Sequence, residues 1–253
     1  MTRAKMVSRR KTRTIIKTKT MKSTMVNIRN ASSKHSISDA LIKLKHPTGG
    51  HIPSLSLVSP RDSVTAKLCG QVFPVRMVAS SDKNAPPKPS THFVDAAPKD
   101  SVMLVTAPDN VRSAVWGGLM TARAQAKGVK GVVLNGNCRD LAEHWESITI
   151  FAKGHSTLGQ SPFTRPATLG EPIEIRCDSN IPPSDADPAW PTMTVQPSDI
   201  LLADVDGVVV VPRKQVAEVV ELTKKGREVD ARCLEDLKQG KGVAETFKKH
   251  RGA

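Results

Sequence analysis

Apolar residues along this chain gather in short unbroken runs: "SVMLVTA" (101–107), "GVVLN" (131–135), "ITIFAKG" (148–154) and the two runs of "DILLADVDGVVVVP" (199–212). Continuous runs of this length predict strands covered on both faces, the habit of parallel sheets, and Asp206-Gly207 supplies a turn between the last two. "AKLCGQVFPVRMV" (66–78) predicts a further strand. Gly70 and Pro74 inside it predict a bulge or an edge position. Helical spacing appears in "SISDALIKL", with Ser38 or Asp39 in the capping position, in 119–127 with Gly128 as the stop, in "DLAEHW" (140–145), and in the long "KQVAEVVELTKKGREVDARCLEDLKQG" (214–240). From 101 to 145 the order is strand, Gly-Gly, helix, strand, turn, helix: a β-α-β-α unit. Pro-rich stretches at 46–55, 79–93 and 176–198 carry no periodicity and read as loops. No internal repeat is present.

Charge divides the chain in two. Residues 1–38 hold eleven Lys or Arg and no acid; without those eleven the net charge of +14 falls to +3. The basicity therefore belongs to a tail, residues 1–36, too poor in large apolar groups to fold alone and read as disordered. Three readings of it stand: a mitochondrial transit peptide, from the missing acids and the Arg/Ser/Thr bias; a nuclear or polyanion-binding patch at "RRKTR"; or a solvated extension without an address. Met21 and Met25 are alternative starts that remove most of it. Residues 37–253, with 38% of the whole chain apolar, form one domain, and no run is long enough to span a membrane. Cys69, Cys138, Cys177 and Cys233 are widely spaced, which fits reduced thiols of an intracellular protein and not a disulfide framework or zinc site. An aromatic content of 3% with no Tyr leaves the body little for stacking bases, so single-stranded nucleic acid is not an expected partner.

Two dipeptides carry candidate chemistry. Gly117-Gly118 stands between a strand end and a helix start, where backbone amides and the helix dipole can hold a carboxylate or phosphate; a tight turn alone also explains it. Arg139-Asp140 opens the next helix at the C-terminal end of a buried strand, the edge where open α/β sheets bind ligands. Arg139 can grip a carboxylate through two parallel hydrogen bonds, and Asp140 can hold a hard cation. The alternative is plain: "DLAE" is also a capping box, with Asp140 as N-cap and Glu143 answering it. His144 reads as a surface or packing residue, and His155 in "KGHSTLGQ" as a possible contact near the site. Ser156 and Ser161 lack a nucleophile elbow.

The body from about 37 to 250 resembles the 4-hydroxy-4-methyl-2-oxoglutarate aldolase family, whose fold is shared with the regulators of ribonuclease E activity. "ISDAL", "GGLMTARAQAKGVKGVVLNGNCRD", "STLGQSPFTRP" and "DILLADVDGVVVVP" carry the resemblance in order and spacing. The Pro-rich 176–198 resembles an insertion of fungal-type members. The resemblance implies an α/β fold with a mixed, barrel-like sheet flanked by helices, assembled as a homotrimer or dimer of trimers. It implies that the amides of Gly117, Gly118, Leu119 and Met120 bind substrate carboxylate, that Arg139 binds substrate, and that Asp140 holds Mg²⁺ or Mn²⁺ largely through water. Asp230 is the nearest match to an acid contributed by a neighbouring subunit. Asn135 replaces the family's usual Asp, removing a negative charge near the site. The implied reaction is metal-dependent retro-aldol cleavage of hydroxylated keto diacids to pyruvate, with oxaloacetate decarboxylation at the same site. A non-enzymatic regulator of an RNA-degrading enzyme is the alternative.

Overall fold

A computed structural model describes residue 28 and residues 34–252 apart from 62, 110, 145–146 and 177–190. In chain order the elements are α1 (Lys34–Lys43), β1 (His51–Ile52), β2 (Ser56–Ser59), β3 (Leu68–Ala79), α2 (Phe93–Ala96), β4 (Ser101–Thr106), β5 (Ala114–Trp116), α3 (Gly118–Ala126), β6 (Gly131–Cys138), α4 (Leu141–His144), β7 (Thr149–His155), β8 (Thr164–Leu169), β9 (Ile173–Ile175), β10 (Met193–Val195), β11 (Ile200–Asp204), β12 (Gly207–Val211), α5 (Val216–Lys238) and α6 (Val243–Arg251). One mixed sheet runs β1-β12-β11-β3-β4-β6-β7-β2, with β5 added to β6 and β8 to β3. β1 and β2 end the path without pairing with each other, so the barrel-like sheet implied by the resemblance does not close into a barrel. β9 and β10 form a separate antiparallel ribbon.

The parallel centre is β3, β4, β6 and β7. Its strands are apolar throughout because both faces are covered. Met103, Val105, Val132 and Leu134 point into one core with Trp116 and Ala124; Val102, Leu104 and Val133 point into another with Ile173, Ile175, Met193 and Val195. A third cluster joins Ile37 and Leu41 of α1 to β11, β12 and the start of α5. β3 is neither an edge strand nor bulged at Gly70. Its first half pairs with β11 and its second with β8, and the irregularity lies at Arg76/Met77. Pro74 falls at the handover between those partners. Val72 on its side of the strand bonds to 198–199, the Pro74 carbonyl accepts from Gly170 at 2.8 Å, and no ladder donor is required there.

Several boundaries differ from the sequence reading. α1 starts at Lys34, so Ser38 and Asp39 lie inside it and do not cap it. Ile28, within the stretch read as tail, is buried in the α1–β12 cluster; the other tail residues up to 33 lie outside the described ones. Within 176–198, β10 forms a strand on β9; 177–190 lie outside the described residues. Among the described residues, no helix is long and apolar enough to cross a membrane.

Candidate active site

Strand β6 does not turn at Asn135-Gly136. It continues to Cys138, because β5 and β7 both pair with its last residues: Ala114 and Trp116 lie beside Asn137 and Cys138, and Gly154 and His155 lie on the other flank. Three parallel strand ends therefore deliver three segments to one edge: Gly117-Gly118 after β5, Arg139-Asp140 after β6, and 156–160 after β7. Backbone bonds tie them together, Arg139 N–H to the Trp116 carbonyl at 3.0 Å and Ser156 N–H to the Cys138 carbonyl at 2.9 Å.

Asp140 has φ of 60°, in the left-handed region that Asp and Asn tolerate better than most residues. That twist aims its carboxylate across the edge. Oδ2 accepts the Gly118 N–H at 3.0 Å and stands 3.4 Å from Arg139 Nε. Asp140 thus caps α3 instead of α4, contrary to the capping-box reading. The two glycines are explained by what lies over them. A Cβ on Gly117 would stand 2.6 Å from Asp140 Oδ2, and one on Gly118 only 1.5 Å from Glu143 Oε2. No side chain fits either place while both carboxylates hold their positions. Gly159 serves the guanidinium likewise, since a Cβ there would reach within 2.8 Å of Arg139 Nη1. The loop amides have unequal roles. Met120 N–H donates to the Gly117 carbonyl, and Gly118 N–H to Asp140. The Leu119 side chain is 79% exposed beside the mouth.

Beneath the mouth runs a buried polar chain. Trp116 Nε1–H donates to Thr121 Oγ1 at 2.7 Å; Thr121 Oγ1 is 3.0 Å from His144 Nδ1; His144 Nε2 is 2.7 Å from the Arg139 carbonyl. That carbonyl can only accept, so Nε2 carries a proton toward it, and Nδ1 faces the Thr121 hydroxyl. His144 is wholly buried, and its own carbonyl accepts from the Ser59 and Ser147 hydroxyls. It is the packing residue of the two readings, and it fixes the backbone that presents Arg139. Cys138 offers no nucleophile: burial pushes its thiol up to about 11, so it stays protonated near neutrality.

Glu143, Gly159, Thr121 and His144 join the site only in three dimensions; in the sequence Glu143 is simply half of a capping box. Two sequence candidates stand apart. Asp230 on α5 pairs with Arg251 at 2.7 Å in the cleft between α1, α5 and α6. Asn135 lies on the β6 face that carries Val133, opposite the face that carries Leu134 and α3. Its missing charge therefore does not face Asp140. His155 ends β7 exposed at the rim.

An RraA-like family profile, Aldolase/RraA, matches residues 35–210. The chain belongs to the Aldolase/RraA family. Among its relatives, a putative 4-hydroxy-4-methyl-2-oxoglutarate aldolase of Halalkalibacterium halodurans is 28% identical over 58% of this chain and 61% of that protein. A Methanocaldococcus jannaschii protein is 29% identical over 56% of this chain and 62% of its own length. The matched segments span between 23% and 62% of the curated relatives' lengths. A Pseudomonas syringae crystal structure superposes with a TM-score of 0.68 at 23% identity, covering 89% of this chain and 96% of that one. Streptomyces coelicolor RraAS2, titled an unusual member of the RNase ES inhibitor RraA protein family, does so at 0.63 and 17%, covering 87% and 96%. At these identities the likeness is one of fold. The Aldolase/RraA family thus includes a relative named as an aldolase and a structure titled as an inhibitor-family member.

Proposed function

We propose that the chain is a divalent-metal-dependent carbon–carbon lyase that cleaves 4-hydroxy-4-methyl-2-oxoglutarate-type keto acids to pyruvate and also decarboxylates oxaloacetate. The observation that carries this reading is the convergence of Arg139, Asp140 and Glu143 on the Gly-Gly start of α3, a grouping that a protein serving only as a binding surface does not require.

The donor set fits a hard cation held sparsely. Among the described residues no cluster of three or more ligating side chains exists, but Asp140 and Glu143 bring two carboxylates together over Gly118. Mg²⁺ commonly takes one or two protein carboxylates and fills its remaining positions with water and substrate. Asp140 would hold the ion, with Glu143 beside it. When bound, the metal supplies Lewis-acid polarisation of a keto oxygen.

The chain's own residues do the rest. Arg139, with Gly159 leaving room along its guanidinium, takes the substrate's 1-carboxylate by its fork. The helix start adds its positive dipole end. Breaking the bond to C4 sends its electron pair toward the keto oxygen and yields the pyruvate enolate, and Arg139 places positive charge beside that developing oxyanion. The 4-hydroxyl proton leaves to a water held between Asp140 and Glu143. In oxaloacetate the departing group is CO₂ and the same enolate forms, so one constellation serves both reactions.

Leu119 and Leu158 are 79% and 47% exposed on segments framing the mouth. A homotrimer or dimer of trimers that covers them would close the site against water, with Asp230 brought in from a neighbouring copy. Binding of Mn²⁺, followed by loss of the free-ion paramagnetic resonance signal, tests the metal assignment. The wild type should bind the ion and the D140N variant should not; equal binding by both removes Asp140 from the metal site.

A further inference from the structure

On the opposite face of the same sheet edge, three polar side chains stand in a row. Register pairs Arg76 of β3 with Thr106 of β4, and Thr106 with Asn135 of β6. They follow the apolar residues Val72, Leu104 and Val133 on that face, at the C-terminal ends of parallel strands, where the core stops. The row lines a cavity of about 540 Å³ whose far wall includes Glu174 and Arg176. That size suits a small molecule.

The row is built but not self-satisfied. Asn135 is 5% exposed, and its Oδ1 is buried without a hydrogen-bond partner; Arg76 Nε is also buried without one. A buried donor or acceptor without a partner is costly, and here two such groups of opposite kind flank β4, one on each side. Two of the nearby acids are already engaged. Glu174 pairs with Arg176 at 3.0 Å, and Asp82 accepts the Asn84 and Ala85 N–H groups at 2.9 and 3.1 Å. Thr106 Oγ1 reaches only the Val75 carbonyl, at 3.5 Å.

We propose that this cavity is a second ligand site, for a small carboxylate that carries an adjacent hydroxyl or amine. Arg76 donates to the carboxylate, and the Asn135 amide oxygen accepts from the neighbouring donor. Arg139, Asp140 and α3 belong to the other face, so this site is distinct from the proposed lyase centre. It also gives Asn135 a role: an aspartate there would set a negative charge against the ligand's carboxylate.

Calorimetric titration of the full chain with L-lactate and with acetate tests this. An R139Q background removes binding at the other face. In that background lactate should bind saturably and more tightly than acetate. Adding R76Q should weaken lactate roughly tenfold or more, the loss of one charge-assisted pair. Adding N135A should erase lactate's advantage over acetate. Absence of saturable binding in R139Q, or affinity unchanged within twofold in the R76Q protein, overturns the proposal. If R76Q lowers the melting temperature, the N135A comparison decides: equal affinity for the two acids supports the site, and a retained preference overturns it.

Discussion

Asp140 and Asp236 are two aspartates in the same fold with opposite circumstances. Asp236, near the end of α5, has a side chain 10% exposed and accepts from Lys241 at 2.7 Å, Lys249 at 2.9 Å and His250 at 2.8 Å. Hydrogen bonds from Lys241, Lys249 and His250 hold its carboxyl far below the usual carboxylate range. Asp140 is 32% exposed, sits on left-handed backbone, and has one backbone donor at hydrogen-bond distance with a guanidinium nitrogen farther off at 3.4 Å. An ionised carboxylate has about four lone-pair positions. Asp236 has three of its positions filled and ties α5 to α6. Asp140 keeps positions in reserve at a sheet edge, which is the state expected of a group that has a ligand to meet. The comparison separates a charge used for structure from a charge that, on the proposed function, is kept for chemistry.

The largest effect that could break this contrast comes from D140N. Asn tolerates the same backbone conformation and can still accept the Gly118 N–H, so folding should be unchanged. The charge is gone, and pyruvate release with Mg²⁺ should fall by roughly a hundredfold or more, the scale of a lost transition-state electrostatic contact. Steady-state turnover together with a melting curve measures both halves. Activity within twofold of wild type would make Asp140 merely a cap.

R139K comes next. Lysine keeps the charge and loses the fork, so catalytic efficiency should drop by about 1.5–3 kcal/mol, roughly ten- to a hundredfold. T121V addresses the layer beneath. It strands the Trp116 N–H and His144 Nδ1 in the interior and should lower stability by about 1–3 kcal/mol in a denaturant titration. Activity should fall as well, since His144, the partner of the Arg139 carbonyl, loses the hydrogen bond that holds its ring.

The smallest effect on turnover should come from D236N, within twofold of wild type. Stability is the readout there. A carboxylate whose folded pKa lies below its unfolded value contributes fully above the unfolded value, about pH 4, and the contribution disappears as pH falls through the folded one. D236N should therefore melt below wild type at pH 7, and the gap should narrow in strong acid. A large activity loss with unchanged melting would reverse the contrast between the two aspartates.

Much of the architecture was legible in the sequence because β4, β6, β11 and β12 are unbroken apolar runs, and Gly117-Gly118 and Arg139-Asp140 were rightly brought to one edge by the order of elements. Other features depend on contacts that no local pattern records. β5 is three residues long. β8 includes Pro166, and β10 follows a Pro/Asp/Ser-rich stretch. β3 reads as an edge because of Pro74, and only the handover from β11 to β8 shows why proline is harmless there. Asp140 caps a helix 22 residues earlier in the chain, and local sequence offers its own helix first. Asn135 sits next to the Arg-Asp pair in sequence, yet strand alternation turns it to the other face. His144 is a lone histidine until Thr121 and the Arg139 carbonyl close around it.

On the proposed function, the Arg139–Asp140–Glu143 mouth performs metal-assisted cleavage to a pyruvate enolate. The most direct measurement is pyruvate formation by the full chain from 4-hydroxy-4-methyl-2-oxoglutarate and from oxaloacetate, with Mg²⁺ and after chelation. Release from both substrates is expected with the metal, loss of both on chelation, and recovery of both on adding Mg²⁺ back. No pyruvate above the protein-free rate from either substrate at saturating Mg²⁺ or Mn²⁺ would contradict it and leave the chain as a non-enzymatic member of its family.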